Sequence, residues 1–234
     1  MSDLAAERTD SWRSRAVSRS AEPARAAAEE RVQRFLDAAL ELLNSPSGED
    51  FTVQNVCDRA GMSLRKFYVH FAGKHELMLA LFEESIRTTA AHLERLVDDL
   101  DDPVARIRTF TTEYYRMCRS GDPRDTEHRL PSRSVGNFAH QLLYDHPEEA
   151  SQAFTPLVAL LQRIMREAAA AGAIRSDLDD AQLAEVAGIV LQAIMFNAFA
   201  TTITGTSSDG SPERGSLLWE LLLGGLQGAP EGAR

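Results

Sequence analysis

Apolar side chains recur every three to four residues along nearly all of the chain from residue 29 onward. This spacing places them on one face of an α-helix. The first stripe ends at "NSPSGED", and its members are Val32, Phe35, Leu36, Ala39, Leu40 and Leu43. A long helix follows over 74–100, and further helices are predicted at roughly 103–119, 131–145, 148–172, 179–203 and 212–227. No segment alternates with the period of a β-strand, so the pattern predicts an all-α fold of about nine helices.

Between the first and the long helix, the pattern predicts two short helices joined by a tight turn. Thr52 precedes Val53 and is a favoured N-cap, and Ser63 has the same position before the second short helix. Gly61 lies between them and adopts the left-handed backbone conformation at little cost. Leu64, Phe67 and Phe71 form the apolar side of the second helix. The layout over about 52–71 predicts a helix-turn-helix, whose second helix lies in the major groove of DNA.

Charge supports this interpretation, although the protein as a whole is acidic. The formal net charge is −10, yet residues 59–75 contain Arg59, Arg65, Lys66 and Lys74 and no acid. Such a cluster arises by chance on a solvated face, or it docks on phosphates. Because physiological salt screens fields beyond about 8 Å, a small basic surface can meet DNA on an acidic protein. Within a helix-turn-helix, the second interpretation is favoured.

The two chain ends are expected to be irregular. Residues 1–28 contain few large apolar side chains and are predicted to form a disordered arm, and 229–234 a flexible tail. The segment "SWRSRAVSRS" is basic, so the arm is either a plain flexible tail or a minor-groove contact. Neither the N-terminus nor the apolar run "VAGIVLQAIMFNAFA" has the composition of a signal peptide or the roughly 20 residues of a membrane span. A cytoplasmic protein without membrane attachment is expected.

The stretch "FTVQNVCDRAGMSLRKFYVHFAGKHELMLALFE" resembles the DNA-binding domain of the TetR family of bacterial transcriptional regulators. The matching features are the Thr-Val entry, Ala-Gly-Met-Ser in the turn, the two aromatic pairs, and Lys74 and Leu77 at the start of the long helix. The resemblance covers about 29–88. The remainder, 89–228, matches that family only as a helical regulatory and dimerisation domain.

The resemblance implies roles for eight residues. Phosphate contacts fall on Thr52, Ser63, Tyr68, His70 and Lys74, and base contacts fall on Leu64, Arg65, Lys66 and Tyr68. Arg65 and Lys66 also suit base reading chemically, because each can donate to O6 and N7 of guanine. Thr52 and Ser63 could instead serve only as helix caps, and Tyr68 only as packing. Leu64, Arg65 and Lys66 are bulkier and more basic than is common in the family, so the target sequence is not inherited.

The segments 179–203 and 212–227 are apolar nearly all round, so they must be covered on all sides. They form either a subunit interface or a buried core pair; the family resemblance implies a homodimer. The resemblance also implies a ligand pocket in the regulatory domain. Its expected lining is Phe110, Tyr114, Phe138, Gln141, Leu142, Met165, Gln192 and Phe196. A hydrophobic or aromatic small molecule is favoured, while Arg106, Arg108 and Arg116 leave an anionic ligand open.

The combined prediction is a repressor that binds palindromic operator DNA as a homodimer and is released by a small effector. The alternatives are an activator or ligand-independent architectural protein on the same fold, and a small-molecule binding protein with a vestigial DNA-binding domain. No nucleophile and base motif is present, so no enzyme is expected. No cofactor is expected either. The spacing of His128, His140 and His146 fits no tight ligand pattern, so no metal site is predicted.

Overall fold

The computed structural model describes residues 3–45, 51–118, 133–203 and 213–227. Over these residues the chain forms nine α-helices and no strand, which confirms the all-α prediction. The helices are α1 (Asp3–Leu43), α2 (Val53–Ala60), α3 (Leu64–His70), α4 (Lys74–Asp98), α5 (Pro103–Cys118), α6 (Arg133–Asp145), α7 (Pro147–Ala170), α8 (Asp180–Ile203) and α9 (Glu213–Gln227). The expected tail at 229–234 lies outside the described residues.

The start of α1 differs from the sequence expectation. The helix begins at Asp3 and includes most of the segment predicted to be a disordered arm over 1–28. This segment is rich in Ala and Arg, which are strong helix formers even without an apolar stripe. The pair Arg25–Glu29 lies at 2.8 Å at helical spacing and supports the helix there. The side chains of residues 3–21 are outside the described part, so the expected minor-groove contact of this arm stays a prediction.

The chain divides into two compact units, Met1–Leu77 and Met78–Arg234. The boundary falls within α4, whereas the sequence suggested a boundary near residue 88. The N-terminal unit is built on aromatic contacts between α1 and α3. The ring of Phe35 lies 5.4 Å from that of Phe67 and 6.1 Å from that of Phe71, both edge to face. Since Phe35 and Phe67 are fully buried, these rings fix α3 against α1.

The C-terminal unit is organised around α5, which packs against α7, α8 and α9, while α7 also packs against α6. Phe110 and Tyr114 place two aromatic rings of α5 in the core. In the same core, the hydroxyl of Thr111 is fully buried and forms no hydrogen bond in the described part of the chain. Within this unit, the ring of Phe82 meets that of Phe154 edge-on at 5.3 Å.

An ion-pair cluster joins α4, α5 and α7 within the C-terminal unit. The guanidinium of Arg163 lies 3.0 Å from Asp98 and 3.3 Å from Glu94. Arg106 lies 2.7 Å from Glu167 and also donates to the carbonyl of Leu100, the second residue after α4, at 2.6 Å. Each of these acidic groups is partly exposed, so the cluster orders the helix ends more than it adds stability.

The helix α8 has two different sides. Leu183, Ala187 and Ile194 are buried against the unit, whereas Ile189 is 59% exposed and Phe196 is 65% exposed. Among the described helices, the segment Asp180–Ala198 is long and apolar enough to cross a membrane by length and composition, contrary to the sequence expectation. About a third of that segment, 33%, is buried inside the unit. The remaining apolar surface of α8 has no cover within the described chain.

Candidate functional site

The entry of α2 is fixed by a capping box. Thr52 is extended, and its hydroxyl accepts a hydrogen bond from the backbone N–H of Asn55 at 3.2 Å. In return, the side-chain oxygen of Asn55 accepts from the backbone N–H of Thr52 at 2.8 Å. This reciprocal pair satisfies two N–H groups at the start of the helix. Thr52 therefore has a structural role, and its exposed position also leaves it accessible to a partner.

The turn between α2 and α3 has the geometry that the sequence predicted. Gly61 adopts a left-handed conformation with φ of 66°, and the N–H of Met62 donates to the carbonyl of Cys57 at 2.9 Å. The hydroxyl of Ser63 then accepts from the N–H of Lys66 at 3.4 Å and caps α3. Cys57 is fully buried beside the turn, and burial raises the pKa of its thiol. It is a small packing residue, as predicted.

The helix α3 has one buried face and one exposed face. Phe67 is buried, and Phe71, which ends the helix, is nearly so. The opposite side presents Arg65 and Lys66 to solvent, and Tyr68 is 58% exposed. Arg65 and Lys66 form no ion pair within the described part of the chain. Their charges are therefore available to an external partner.

Leu64 and His70 differ from their expected surroundings. Leu64 was placed on the apolar side of α3, but it is 40% exposed, because it occupies the first position of the helix at its solvent side. That exposure agrees with its other expected position, among the base-reading residues. His70 is partly buried, and its ring lies 6.5 Å from that of Phe35 in a tilted arrangement. Part of the His70 ring thus belongs to the core.

Two of the four predicted cations have partners inside the N-terminal unit. Arg59 forms an ion pair with Glu41 of α1 at 3.1 Å. The ammonium of Lys74 donates to the carbonyl oxygen of Phe51 at 2.8 Å and lies 4.1 Å from the centre of its ring. The basic surface is therefore centred on Arg65 and Lys66, with Lys74 held beside the entry of α2. Sequence reasoning missed both Phe51 and Asn55, although an Asn three residues after Thr52 is a detectable capping signal.

A cavity of about 670 Å³ lies between α6, α7 and α8 in the C-terminal unit. Its wall is mostly apolar and includes Phe154 and Phe196. The polar side chains in the wall are His140, Ser151 and Gln192. The ring of His140 lies 6.1 Å from that of Phe196, and burial lowers the pKa of this histidine. Its imidazole is therefore neutral at physiological pH.

Of the expected pocket residues, Gln192 and Phe196 line this cavity. Phe110, Tyr114, Leu142 and Met165 are almost completely buried and do not line it. Phe138 packs near Phe82, with 6.5 Å between the rings, and Gln141 is exposed. Phe154 lines the cavity but was left out of the expected lining, because its spacing is that of an ordinary core residue.

The capped turn, the aromatic anchor and the exposed basic side of α3 define a helix-turn-helix DNA-binding protein. Residues 35–81 match the sequence profile of the bacterial regulatory proteins of the tetR family. The N-terminal unit is thus similar to the DNA-binding domain of this family. No curated protein matches the sequence.

Solved structures share the fold along nearly the full chain. A TetR-family regulator from Pectobacterium atrosepticum is 18% identical with a TM-score of 0.67, covering 88% of this chain and 99% of that one. Thermus thermophilus FadR, a repressor solved with lauroyl-CoA, is 20% identical with a TM-score of 0.64, covering 87% and 100%. RolR, solved with resorcinol, is 18% identical with a TM-score of 0.60, covering 86% and 89%. Identities this low establish the fold and not the ligand.

Proposed function

We propose that the protein is a transcriptional regulator of the TetR family. It acts as a repressor, which binds a palindromic operator as a homodimer in the cytoplasm and leaves it when a small effector binds. The observation that carries the DNA-binding part is the exposed side of α3, where Arg65 and Lys66 have no ion-pair partner in the described chain. Two such cations on one helix face can neutralise phosphates of DNA and release the counterions bound there, which favours binding.

Contacts to base edges are assigned to the exposed side of α3, which carries Leu64, Arg65, Lys66 and Tyr68. Arg65 and Lys66 can donate to guanine, while Leu64 can contact a thymine methyl group. Tyr68 reaches either a base edge or a phosphate, since its ring is largely exposed.

Phosphate contacts fall to Thr52, Ser63, His70 and Lys74, together with Tyr68. Lys74 is close to Thr52, because its ammonium donates a hydrogen bond to the carbonyl oxygen of Phe51, the residue before Thr52. The positive end of α2 and the ammonium of Lys74 together favour an anion there. These contacts would set register without selecting sequence.

The homodimer is proposed to form through α8 and α9. Both helices leave large apolar side chains exposed, with Ile189 at 59%, Phe196 at 65%, Leu217 at 57% and Leu221 at 78%. Exposed apolar surface of this kind marks interaction sites. A two-fold dimer would place two α3 helices in successive major grooves, about 34–36 Å apart or somewhat more, which requires a palindromic operator.

An effector is proposed because related regulators carry one. FadR from Thermus thermophilus binds lauroyl-CoA, and RolR binds resorcinol. The cavity between α6, α7 and α8 offers space for a ligand in this chain. The effector must bind the DNA-free state better than the DNA-bound state, because equal binding would shift no equilibrium.

Selection of bound duplexes from a random pool tests the DNA-binding part. We expect a palindrome to be enriched and to bind two chains, with a log-log salt slope of about −0.9 per neutralised phosphate. Failure to retain any duplex would support a vestigial DNA-binding domain. Deletion of the gene then tests the direction of control: transcription of the operator-linked genes should rise, whereas a fall would indicate an activator. Enrichment without a defined motif would indicate an architectural protein.

A further inference from the structure

The cavity between α6, α7 and α8 has the size of a small-molecule site. Its volume of about 670 Å³ falls within the range of roughly 300–1,000 Å³ that such sites occupy. Gly188 of α8 lies in its wall, and a Cβ atom added there would meet no atom within 4 Å. The packing of the helices thus leaves space at this point of α8.

The wall is free of formal charge in the part of the chain that the structure describes. No Asp, Glu, Lys or Arg lines the cavity. Every Asp, Glu, Lys or Arg within two positions of a lining residue is acidic, and these residues are Asp145, Glu148, Glu149 and Glu185. An anion that enters a mostly apolar wall without a cation loses its hydration and gains no partner.

The sequence allowed an anionic ligand because of three arginines, but none of them lines this wall. Arg106 is engaged by Glu167 and by the carbonyl of Leu100, and Arg116 pairs with Glu113 at 2.8 Å. Arg108 is on α5, a helix that contributes no side chain to the cavity lining. None of the three is therefore placed to neutralise a phosphate in the cavity.

The polar groups of the wall suit neutral hydrogen-bonding partners. Gln192 offers both an amide donor and a carbonyl acceptor, and Ser151 offers a hydroxyl. His140 is held neutral by its partial burial, which lowers its pKa. Phe154 and Phe196 add aromatic surface to the same wall. This is the chemistry that binds a hydroxyl or carbonyl group on an apolar body.

We propose that this cavity binds a neutral, largely apolar molecule that carries one or two hydroxyl or carbonyl groups, and that it rejects ligands bearing phosphate. The inference rests on the proposed function only in treating the cavity as the effector site. It narrows the effector to a compound that is neutral in the part that enters the cavity.

Calorimetric titration of the full-length protein with matched probes tests the charge argument. 1-Naphthol and 1-naphthyl phosphate share a ring system and differ in charge, and 1-octanol and 1-octyl phosphate form a matched aliphatic pair. We expect at least one neutral probe to bind with one site per chain, and its phosphorylated counterpart to bind at least about tenfold weaker. Comparable or tighter binding of either phosphate-bearing probe overturns the proposal, as does failure of both neutral probes to bind.

A pair of glycine variants tests the location. Gly188→Leu places a side chain in the cavity and also replaces glycine within a helix, so the fold should be retained. Gly224→Leu makes the same change on α9, where an added Cβ is also unobstructed and no cavity wall is involved. We expect Gly188→Leu to weaken the neutral probe at least about tenfold and Gly224→Leu to leave it unchanged. Unchanged binding by the folded Gly188→Leu protein would place the site elsewhere.

One further measurement separates this proposal from the proposed function. Operator binding by the probe-free protein is recorded in parallel on selected duplexes. If the probe-free protein does not bind any operator but still binds the neutral probe, the proposed repressor function is wrong. The proposed ligand class is then unaffected.

Discussion

The ammonium group of Lys74 lies 2.8 Å from the carbonyl oxygen of Phe51 and 4.1 Å from the centre of the Phe51 ring. One lysine thus joins the first residue of α4 to the entry of α2. The ammonium has three donors, and the carbonyl uses one of them. Lys74 is therefore both a structural brace and a cation beside Thr52, so its loss should be visible in stability as well as in DNA binding.

Substitution of Lys74 by Met should lower the free energy of unfolding by about 1–2 kcal/mol, because a hydrogen bond and a cation–π contact are lost. DNA affinity should fall about equally for all sequences. The matched control is Lys66→Met, which removes an exposed lysine without an internal ion pair and should change stability by less than about 0.5 kcal/mol. Urea denaturation and gel shifts measure the two effects. If both variants have the same free energy of unfolding, the contact of Lys74 with Phe51 does not stabilise the fold.

Arg65→Ala should reduce operator affinity by about 1–3 kcal/mol and relax the preference at one base pair of each half-site. Arg59→Ala is the matched control, since Arg59 is already paired with Glu41. It should weaken binding less and leave base preference unchanged. Competition between operator duplexes with single base-pair changes measures both. If Arg65→Ala keeps full preference at every position, base reading belongs to other residues.

Leu221→Glu should convert the proposed dimer to a monomer with retained helicity. A leucine that becomes buried in an interface contributes about 1.5–3 kcal/mol, and a buried unpaired carboxylate adds a further penalty. Tyr144→Glu is the control, because Tyr144 is 89% exposed on α6, outside the proposed interface. Sedimentation velocity at micromolar concentration distinguishes the species. If the Leu221→Glu protein remains a dimer, α9 is not part of the interface.

Both cysteines should resist alkylation in the folded protein. Burial raises the pKa of the Cys118 thiol to about 12, and that of Cys57 is also raised. Because the thiolate is the reactive form, a higher pKa lowers its fraction, and Cys118 should react about a thousandfold more slowly near pH 8 than an ordinary cysteine. Mass spectrometry after iodoacetamide treatment, with and without guanidinium chloride, measures this. Rapid labelling of the native protein would show that its thiols are accessible.

Much of the helix-turn-helix was predictable, because its determinants are local. The caps at Thr52 and Ser63 and the left-handed turn at Gly61 each depend on residues a few positions apart. The contact of Lys74 with Phe51 spans a longer separation, so no spacing rule indicates it. The length of α1 was missed for a different reason: its first half has helix propensity without an apolar stripe.

The cavity was the least predictable feature. Helical spacing shows which residues share a face, but it does not show which neighbouring helix covers that face. Phe110 and Met165 have the same pattern as Phe196, yet they are buried in the core while Phe196 lines the cavity. Only the packing of α6, α7 and α8 together determines that difference.

The buried hydroxyl of Thr111 has a consequence for how the protein would evolve under heat selection. A buried hydroxyl without a partner is unfavourable, so the isosteric change Thr111→Val should raise the free energy of unfolding by about 1 kcal/mol. Thr111→Ser, which keeps the hydroxyl and leaves a void, should lower it, and urea denaturation distinguishes the two. A library of variants screened for survival at raised temperature should therefore recover valine at position 111 early. Retention of threonine in such a screen would show that selection acts on this hydroxyl for a purpose other than stability.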